Sequence, residues 1–167
     1  NGFSIKQGDI IGLDDKKILA KSASTEETVL KLLAHMKEEF HQVITLYYGE
    51  DVKEDEAAAL CETIAEKYPD CALVLTLGSR GVRYHDKTQD VRMNAYKIKN
   101  VVDTTAAGDT FLGYFLACTA EGMPVRDILL RSTTASAMAI QVKGASDSIP
   151  ARSEVEKAIE EKRFGEL

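Results

Sequence analysis

The sequence of 167 residues contains little of what several function classes require. It has three cysteines and three histidines, no apolar run near the roughly 20 residues that cross a bilayer, and no dense block of lysine or arginine. Its net charge of -6 at pH 7 argues against a surface for nucleic acid or anionic membrane. We therefore expect neither a nucleic-acid nor a membrane partner. Because the sequence does not begin with a charged segment followed by an apolar one, as in a secretory signal peptide, we also expect a cytoplasmic location.

The few cysteines and histidines do not predict a metal or nucleophile site. Cys61, Cys71 and Cys118 are odd in number, lack the spacing of metal ligands and lie in apolar patterns, so we expect buried, inert thiols. The histidines are scattered, and none is a credible catalytic base. They are His35, His41 and His85.

The composition is that of an ordinary globular protein. Hydrophobic residues make up 44% and charged residues 29% of the chain, and 167 residues suffice for one core without disulfides or metals. The sequence shows no repeat, low-complexity segment or long linker. We therefore predict one domain over residues 1–167.

The first half of the sequence predicts a hairpin and a strand-helix-strand unit. Residues 9–13 and 17–22 predict the hairpin, and a helix from Thr25 to Phe40 follows with Ser24 as its N-cap. Apolar spacing predicts that this helix buries Val29, Leu33, Met36 and Phe40. A buried strand over 43–48, a helix capped by Asp51 with Glu54, and a strand over 71–77 complete a parallel crossover.

The second half predicts a hairpin followed by helices. Strands over 82–85 and 91–98 flank a polar turn, and helices follow over 107–121, 124–142 and 150–162. The fold class predicted is α/β, a single layered domain with a mostly parallel Rossmann-like sheet flanked by helices, plus hairpins.

The stretch Val101–Phe111 carries the strongest chemical signal. Ala106, Ala107 and Gly108 are small residues at the start of an apolar helical pattern, so unpaired N–H groups there could face an anion, and Asp109 could take a proton from an attacking hydroxyl. The alternative is a tight turn in which Asp109 only offsets the helix dipole. Spacing alone leaves both interpretations open.

Three motifs in order resemble the C-terminal half of the ribokinase/PfkB carbohydrate-kinase family. Residues 76–82 resemble its nucleotide-binding loop, residues 103–109 its second signature, and residues 144–150 a late loop near the adenine and a monovalent cation. The family usually has glycine at the position of Ala106, although alanine also occurs there. The resemblance implies a ribokinase-like sheet and covers residues from about 71 to the end.

This resemblance implies roles for individual residues. Asp109 would be the catalytic base, and the anion hole would consist of Ala106, Ala107 and Gly108. The nucleotide site would comprise Thr76, Gly78, Ser79, Gly81 and Gly144, while Asp103, Thr105 and Ser148 could hold a monovalent cation. Plain turn chemistry with positive φ is the alternative explanation for the glycines of residues 78–81. No cofactor would be required, but weak ATP or ADP binding is expected.

Residues 1–70 instead resemble the C-terminal domain of Dak-phosphatase-like proteins, through residues 8–13, the helix from Thr25 and residues 43–51. The family's sugar pocket and its Asn-x-x-Glu magnesium motif belong to its earlier half, and no asparagine here has glutamate three residues later. The two resemblances together predict an engineered chimera without native activity and with a vestigial nucleotide loop. The alternatives are an ATP-dependent carbohydrate-kinase fragment and an interaction module for a fatty-acid-binding partner.

Overall fold

The computed structural model describes residues 4–49 and 51–167. Its strands are β1 (Ile10–Asp14), β2 (Lys17–Ser22), β3 (Val43–Tyr47), β4 (Ala72–Thr76), β5 (Val82–His85) and β6 (Asp90–Met93). Its α-helices are α1 (Thr25–Met36), α2 (Glu54–Lys67), α3 (Ala107–Ala120), α4 (Val125–Ala139) and α5 (Arg152–Glu160). Short 3₁₀ turns occupy Gly78–Arg80 and Ser146–Ser148.

The main sheet has four strands in the order β3-β4-β5-β6, and β1 and β2 form a separate antiparallel pair. The predicted α/β class, a single domain with a sheet flanked by helices, is confirmed. The sheet is mixed rather than mostly parallel, because only β3 and β4 run parallel while the β4–β5 and β5–β6 pairs are antiparallel. The physical reason is that β5 follows β4 through the short segment 77–81, which is too short for a parallel crossover.

Helices cover both faces of this sheet. Alternation along β4 sends Val74 to one face and Leu73 and Leu75 to the other. The first face packs on α3 and α4 through Phe111, Phe115, Cys118, Ile128 and Leu129. The second face packs on α2 through Ala57, Cys61 and Ile64. This layering fixes the start of α3 close to the ends of β3 and β4.

The expectation of buried, inert thiols is confirmed. Cys61, Cys71 and Cys118 are all free and buried. Burial raises the pKa of the Cys61 thiol to about 11 and also raises the pKa of Cys118. A neutral thiol is a poor nucleophile, so these residues serve as apolar packing.

Several predicted boundaries of α1 and α2 are wrong. Ser24 does cap α1, its hydroxyl accepting from the Glu27 N–H at 3.2 Å, but the helix ends at Met36 because Lys37 is extended. Met36 is 45% and Phe40 70% exposed rather than buried. The N-cap of α2 is Lys53, which makes no side-chain cap.

The second half also differs from its predicted boundaries. Strand β6 ends at Met93, so the chain from 94 to 106 has neither helix nor strand, and α4 ends at Ala139 rather than near residue 142. Across the described residues, no helix is long and apolar enough to cross a membrane.

Candidate functional site

The loop after β4 and the start of α3 border one cleft of about 890 Å³. Both lie beyond the carboxyl ends of the parallel strands β3 and β4, where ligands collect in open α/β sheets. Of the residues implied by the resemblance, those lining the cleft are Thr76, Gly78, Ser79, Gly81, Ala107 and Gly108. The structure therefore brings together two motifs that lie about 30 residues apart in the sequence.

The structure explains separately why glycine occupies positions 78 and 81 of the loop. Gly81 has φ +105, and a Cβ there would lie 2.0 Å from the Met93 carbonyl oxygen. Gly78 has φ +57, and a Cβ there would meet nothing within 4 Å. The positive φ is thus a sufficient turn-chemistry reason for both glycines, and Gly81 is in addition required by the close approach of the Met93 backbone. The space beside Gly78 is open and leaves room for a ligand to approach the backbone.

The start of α3 has the geometry of an anion site. Ala106 precedes the helix in the left-handed conformation with φ 59, which explains why glycine is favoured at this position. The Ala107 N–H donates to the Thr104 carbonyl at 3.2 Å, and the Thr110 N–H donates to the Ala106 carbonyl. Among the described residues, no acceptor bonds the N–H groups of Gly108 and Asp109. Such free N–H groups at a helix start bind anions.

Tyr47, at the end of β3, covers this helix start. Its hydroxyl donates to the Gly108 carbonyl at 3.3 Å, and a Cβ at Gly108 would lie 3.0 Å from its ring. Burial raises the pKa of Tyr47, and the negative charge of Asp109 adds to this. Asp109 is itself exposed and lies at the edge of the cleft rather than in its wall.

The charge of the cleft wall is positive. Among the described residues that line it, the charged side chains are Arg80 and Lys97, and none is an aspartate or glutamate. Arg80 pairs with Glu54 at 2.5 Å and donates to the Tyr48 hydroxyl. Much of the remaining wall is apolar and includes Ala95, Ile98, Val101, Phe111, Ala137 and Ile140. Glu54 thus balances the charge of Arg80, and Lys97 is the other cation of the wall. A largely apolar wall with these two cations suits a ligand that joins a flat apolar group to an anionic one.

The other predicted residues do not line the cleft. The Asp103 carboxylate accepts from the Thr105 N–H at 2.9 Å and from the Gly144 N–H at 3.1 Å. The pKa of Asp103 is lowered first by the Thr105 side chain and then by these two backbone bonds. Asp103 therefore ties the late loop to the segment before α3. The Ser148 hydroxyl is buried and donates to the Ala145 carbonyl at 2.7 Å. These bonds occupy the groups predicted to hold a monovalent cation, and the cation site stays a prediction.

Sequence reasoning missed part of the cleft wall. Tyr47 and Tyr48 follow β3, and the rule that ligands collect at the carboxyl ends of parallel strands could have found them. That rule does not point to Tyr96 and Lys97, because the sequence predicts one strand over residues 91–98. Ser136 on α4 also lines the cleft and donates to the Ala107 carbonyl at 3.1 Å, thereby supporting the start of α3.

The fold and the cleft define an α/β protein with one cleft at the carboxyl ends of its parallel strands β3 and β4. Residues 37–152 match the model described as "pfkB family carbohydrate kinase". This match covers more than half of the chain, so the chain belongs to the pfkB family of carbohydrate kinases.

Ribokinases are among its similar proteins. The ribokinase of Schizosaccharomyces pombe is 44% identical over 86 residues, which are 51% of this chain and 27% of that protein. A ribokinase structure from Cryptococcus neoformans in complex with ADP is 29% identical with a TM-score of 0.57, over 65% of this chain and 37% of that one. The ribokinase structure from Thermotoga maritima is 28% identical with a TM-score of 0.58, over 80% of this chain and 53% of that one. The chain spans about a third or less of the length of the first curated relatives it matches.

The family match corrects the prediction of an engineered chimera. The matched region runs from residue 37 to 152 and crosses the predicted junction near residue 70 without a break. Strand β3 and helix α2, which were assigned to a Dak-phosphatase-like part, therefore lie within the pfkB match. The alternative of a carbohydrate kinase is the interpretation that the comparisons support. The fatty-acid-partner alternative rested on the Dak-like resemblance and gains no support from them.

Proposed function

We propose that the chain supplies the nucleotide cleft and the catalytic base of an ATP-dependent carbohydrate kinase. The observation that carries this proposal is the meeting of the loop 76–81 with the first turn of α3 around one cleft of about 890 Å³. Membership in the pfkB family and the ADP bound to the Cryptococcus relative support it. The ribokinase names of the relatives make ribose the first sugar to test.

The cleft suits an adenine nucleotide through two different surfaces. The phosphates would lie toward the free N–H groups of Gly108 and Asp109 and toward Lys97, with the Glu54-paired Arg80 nearby. The base would pack against the apolar wall, and Thr76 could bond a phosphate or the ribose. Phosphoryl transfer depends mainly on this kind of positioning and charge stabilisation.

Asp109 is proposed to accept the proton of the sugar hydroxyl as that oxygen attacks the γ-phosphorus of ATP. The bond from the γ-phosphorus to the bridging oxygen breaks, and ADP leaves with that electron pair. The N–H groups at the start of α3 stabilise the charge that develops on the transferring group. The exposed position of Asp109 at the cleft edge leaves it accessible to a hydroxyl substrate.

ADP titration followed by NMR tests the nucleotide cleft. Amide resonances of Gly78, Ala107 and Gly108 should shift at millimolar ADP, with an affinity of about 4 kcal/mol at standard state. Asp109→Asn should tighten ADP binding slightly by removing a carboxylate beside the phosphates. Gly108→Val should abolish binding, because a Cβ there already lies 3.0 Å from the Tyr47 ring. No shift of these amides at saturating ligand would refute the nucleotide cleft.

A coupled assay of ADP release tests the catalytic role separately. Release should depend on ribose or another sugar, and Asp109→Asn should lower its rate by about 10²–10⁴-fold while ADP binding persists. Equal, measurable rates of sugar-dependent release for wild type and Asp109→Asn would refute the base assignment. ADP binding without sugar-dependent release would limit the proposal to the nucleotide cleft.

A further inference from the structure

One wall of the cleft lacks regular secondary structure. Strand β6 ends at Met93 and α3 begins at Ala107, and the segment between them contributes residues 95–98 to the cleft lining. In the described part of the chain, the pairing of β6 with β5 ends at Met93. Further along the segment, the Val102 and Asp103 N–H groups donate to the Ile140 carbonyl at 2.8 and 3.2 Å, so this end is tied to the end of α4. Residues 95–98 lie between these two fixed ends, and their position therefore depends more on side-chain anchors.

Tyr96 has two such anchors. Its ring lies 5.2 Å from the ring of Phe164, centroid to centroid, at an interplanar angle of 46°. Its hydroxyl lies 3.4 Å from the hydroxyl oxygen of Thr134 on α4. Phe164 follows α5 and lies outside residues 37–152, so this contact comes from beyond the part that matches the family.

The segment that carries Phe164 is held in a defined turn. Lys162 is in the left-handed region with φ 48, and the Arg163 N–H donates to the Ala158 carbonyl at 2.9 Å. The Gly165 N–H donates to the Lys162 carbonyl at 2.9 Å, and the Arg163 guanidinium lies 5.2 Å from the Phe164 ring centroid. These bonds turn the chain back after α5 and place Phe164 beside Tyr96.

Helix α5 is in turn fixed to α4. The Glu156 carboxylate accepts two bonds from Arg131 of α4, at 2.8 and 3.0 Å, and one from Arg152 at 2.6 Å. Val155 on α5 is fully buried. Because α4 also supplies Thr134 and Ser136, both anchors of Tyr96 belong to the same packed body that lines the cleft.

We propose that Phe164 is a positioning residue that holds Tyr96 in the cleft wall and thereby sets the affinity of the cleft for an adenine nucleotide. The nucleotide part rests on the proposed function. Removing the Phe164 ring takes away one of the two side-chain anchors of Tyr96, and residues 95–98 can then shift between their fixed ends. Ligand binding then has to order a wall that Phe164 otherwise holds in place, which weakens affinity.

The test compares Phe164→Ala with Phe164→Tyr, which keeps the ring. Phe164→Ala should weaken ADP binding roughly twofold to tenfold, the range that one aromatic pair contributes, and Phe164→Tyr should restore it. Phe40→Ala is the matched control, because Phe40 pairs with His41 at 4.5 Å, is 70% exposed and does not line the cleft. This control should leave ADP affinity unchanged.

A second readout does not require any ligand. In the free protein, Phe164→Ala should shift the NMR resonances of the Tyr96 ring and of amides 94–98, whereas Phe40→Ala should not. The effects of Phe164→Ala and Tyr96→Ala on ADP affinity should be non-additive, since both remove the same contact. Full additivity would overturn the proposal.

The outcomes separate this proposal from the proposed function. Unchanged Tyr96 resonances in Phe164→Ala would overturn the positioning role, as would ADP binding as tight as that of the wild type. A wild-type protein that binds no ADP would overturn the proposed nucleotide cleft and the affinity effect with it. The resonances would still decide whether Phe164 holds Tyr96.

Discussion

Gly78 and Gly81 lie three residues apart in one loop, yet alanine should have very different effects at the two positions. At Gly81 a Cβ would lie 2.0 Å from the Met93 carbonyl oxygen and 2.7 Å from two Asn94 backbone atoms. These are backbone atoms at the end of β6, so no side-chain rotation can relieve the clash. At Gly78 a Cβ would meet no atom within 4 Å.

The magnitudes follow from these contacts. Gly78→Ala incurs about 1–2 kcal/mol for the left-handed backbone, and reduced entropy of the unfolded chain offsets about 0.4–1 kcal/mol, so we expect a net loss between roughly 0 and 1.6 kcal/mol. Gly81→Ala must also separate β5 from β6 near the Val82–Met93 pair. We expect it to lose about 3 kcal/mol or more in the free energy of unfolding.

Urea and thermal denaturation followed by circular dichroism measure both losses. At about 2–4 °C per kcal/mol for a chain of this size, Gly81→Ala should lower Tm by roughly 10 °C and Gly78→Ala by at most about 6 °C. Equal losses, or a loss below about 1 kcal/mol for Gly81→Ala, would refute the packing argument. Gly78→Ala is therefore the loop variant suited to ADP titration, because it should fold.

Two further variants test local backbone and charge effects. Ala106→Gly should raise the free energy of unfolding by about 0.5–1 kcal/mol in urea titrations, since Ala106 holds a left-handed φ of 59, and a loss of stability would contradict this. Burial would raise the pKa of Asp86, but bonds from Tyr84, Thr88 and Gln89 outweigh it and lower the pKa to about 2. The stability this adds is complete above the usual pKa of 3.8 and falls as pH drops toward 2. It amounts to about 1–2 kcal/mol after allowance for partial exposure. Asp86→Ala should therefore lose more stability at pH 6 than at pH 2, and equal losses at both pH values would contradict it.

Local motifs made part of the site predictable from the sequence. Gly78 and Gly81 belong to a contiguous loop, and Ala107 and Gly108 to a contiguous helix start, so short-range spacing sufficed to find each group. The two groups meet because both follow the carboxyl ends of the parallel strands, where ligands collect in open α/β sheets. The signal was strong because the loop and the helix start each depend on small residues.

The features that the sequence did not predict depend on long-range contacts, which residue spacing does not reveal. Phe40 continues the apolar pattern of α1, but the helix ends at Met36, so Phe40 has no helical face to bury. Tyr96 lies 68 residues before Phe164, and no periodicity connects the two positions. The sheet is mixed because the segment 77–81 is short. The prediction of a mostly parallel sheet relied instead on the helix between β3 and β4.

The burial of all three thiols provides a native set of reporters for how the molecule opens. Cys61 and Cys71 lie in the core beneath α2, while Cys118 lies in the core beneath α3 and α4, on the opposite face of the sheet. A thiol reagent added to the folded protein can label each cysteine only when its own layer opens. Suppose that both layers open in one cooperative transition and that reclosing is fast compared with labelling. Mass spectrometry should then give the same free energy of opening for all three cysteines. If α2 can detach alone, Cys61 and Cys71 will be labelled before Cys118. The layers on the two faces of the sheet would then unfold separately.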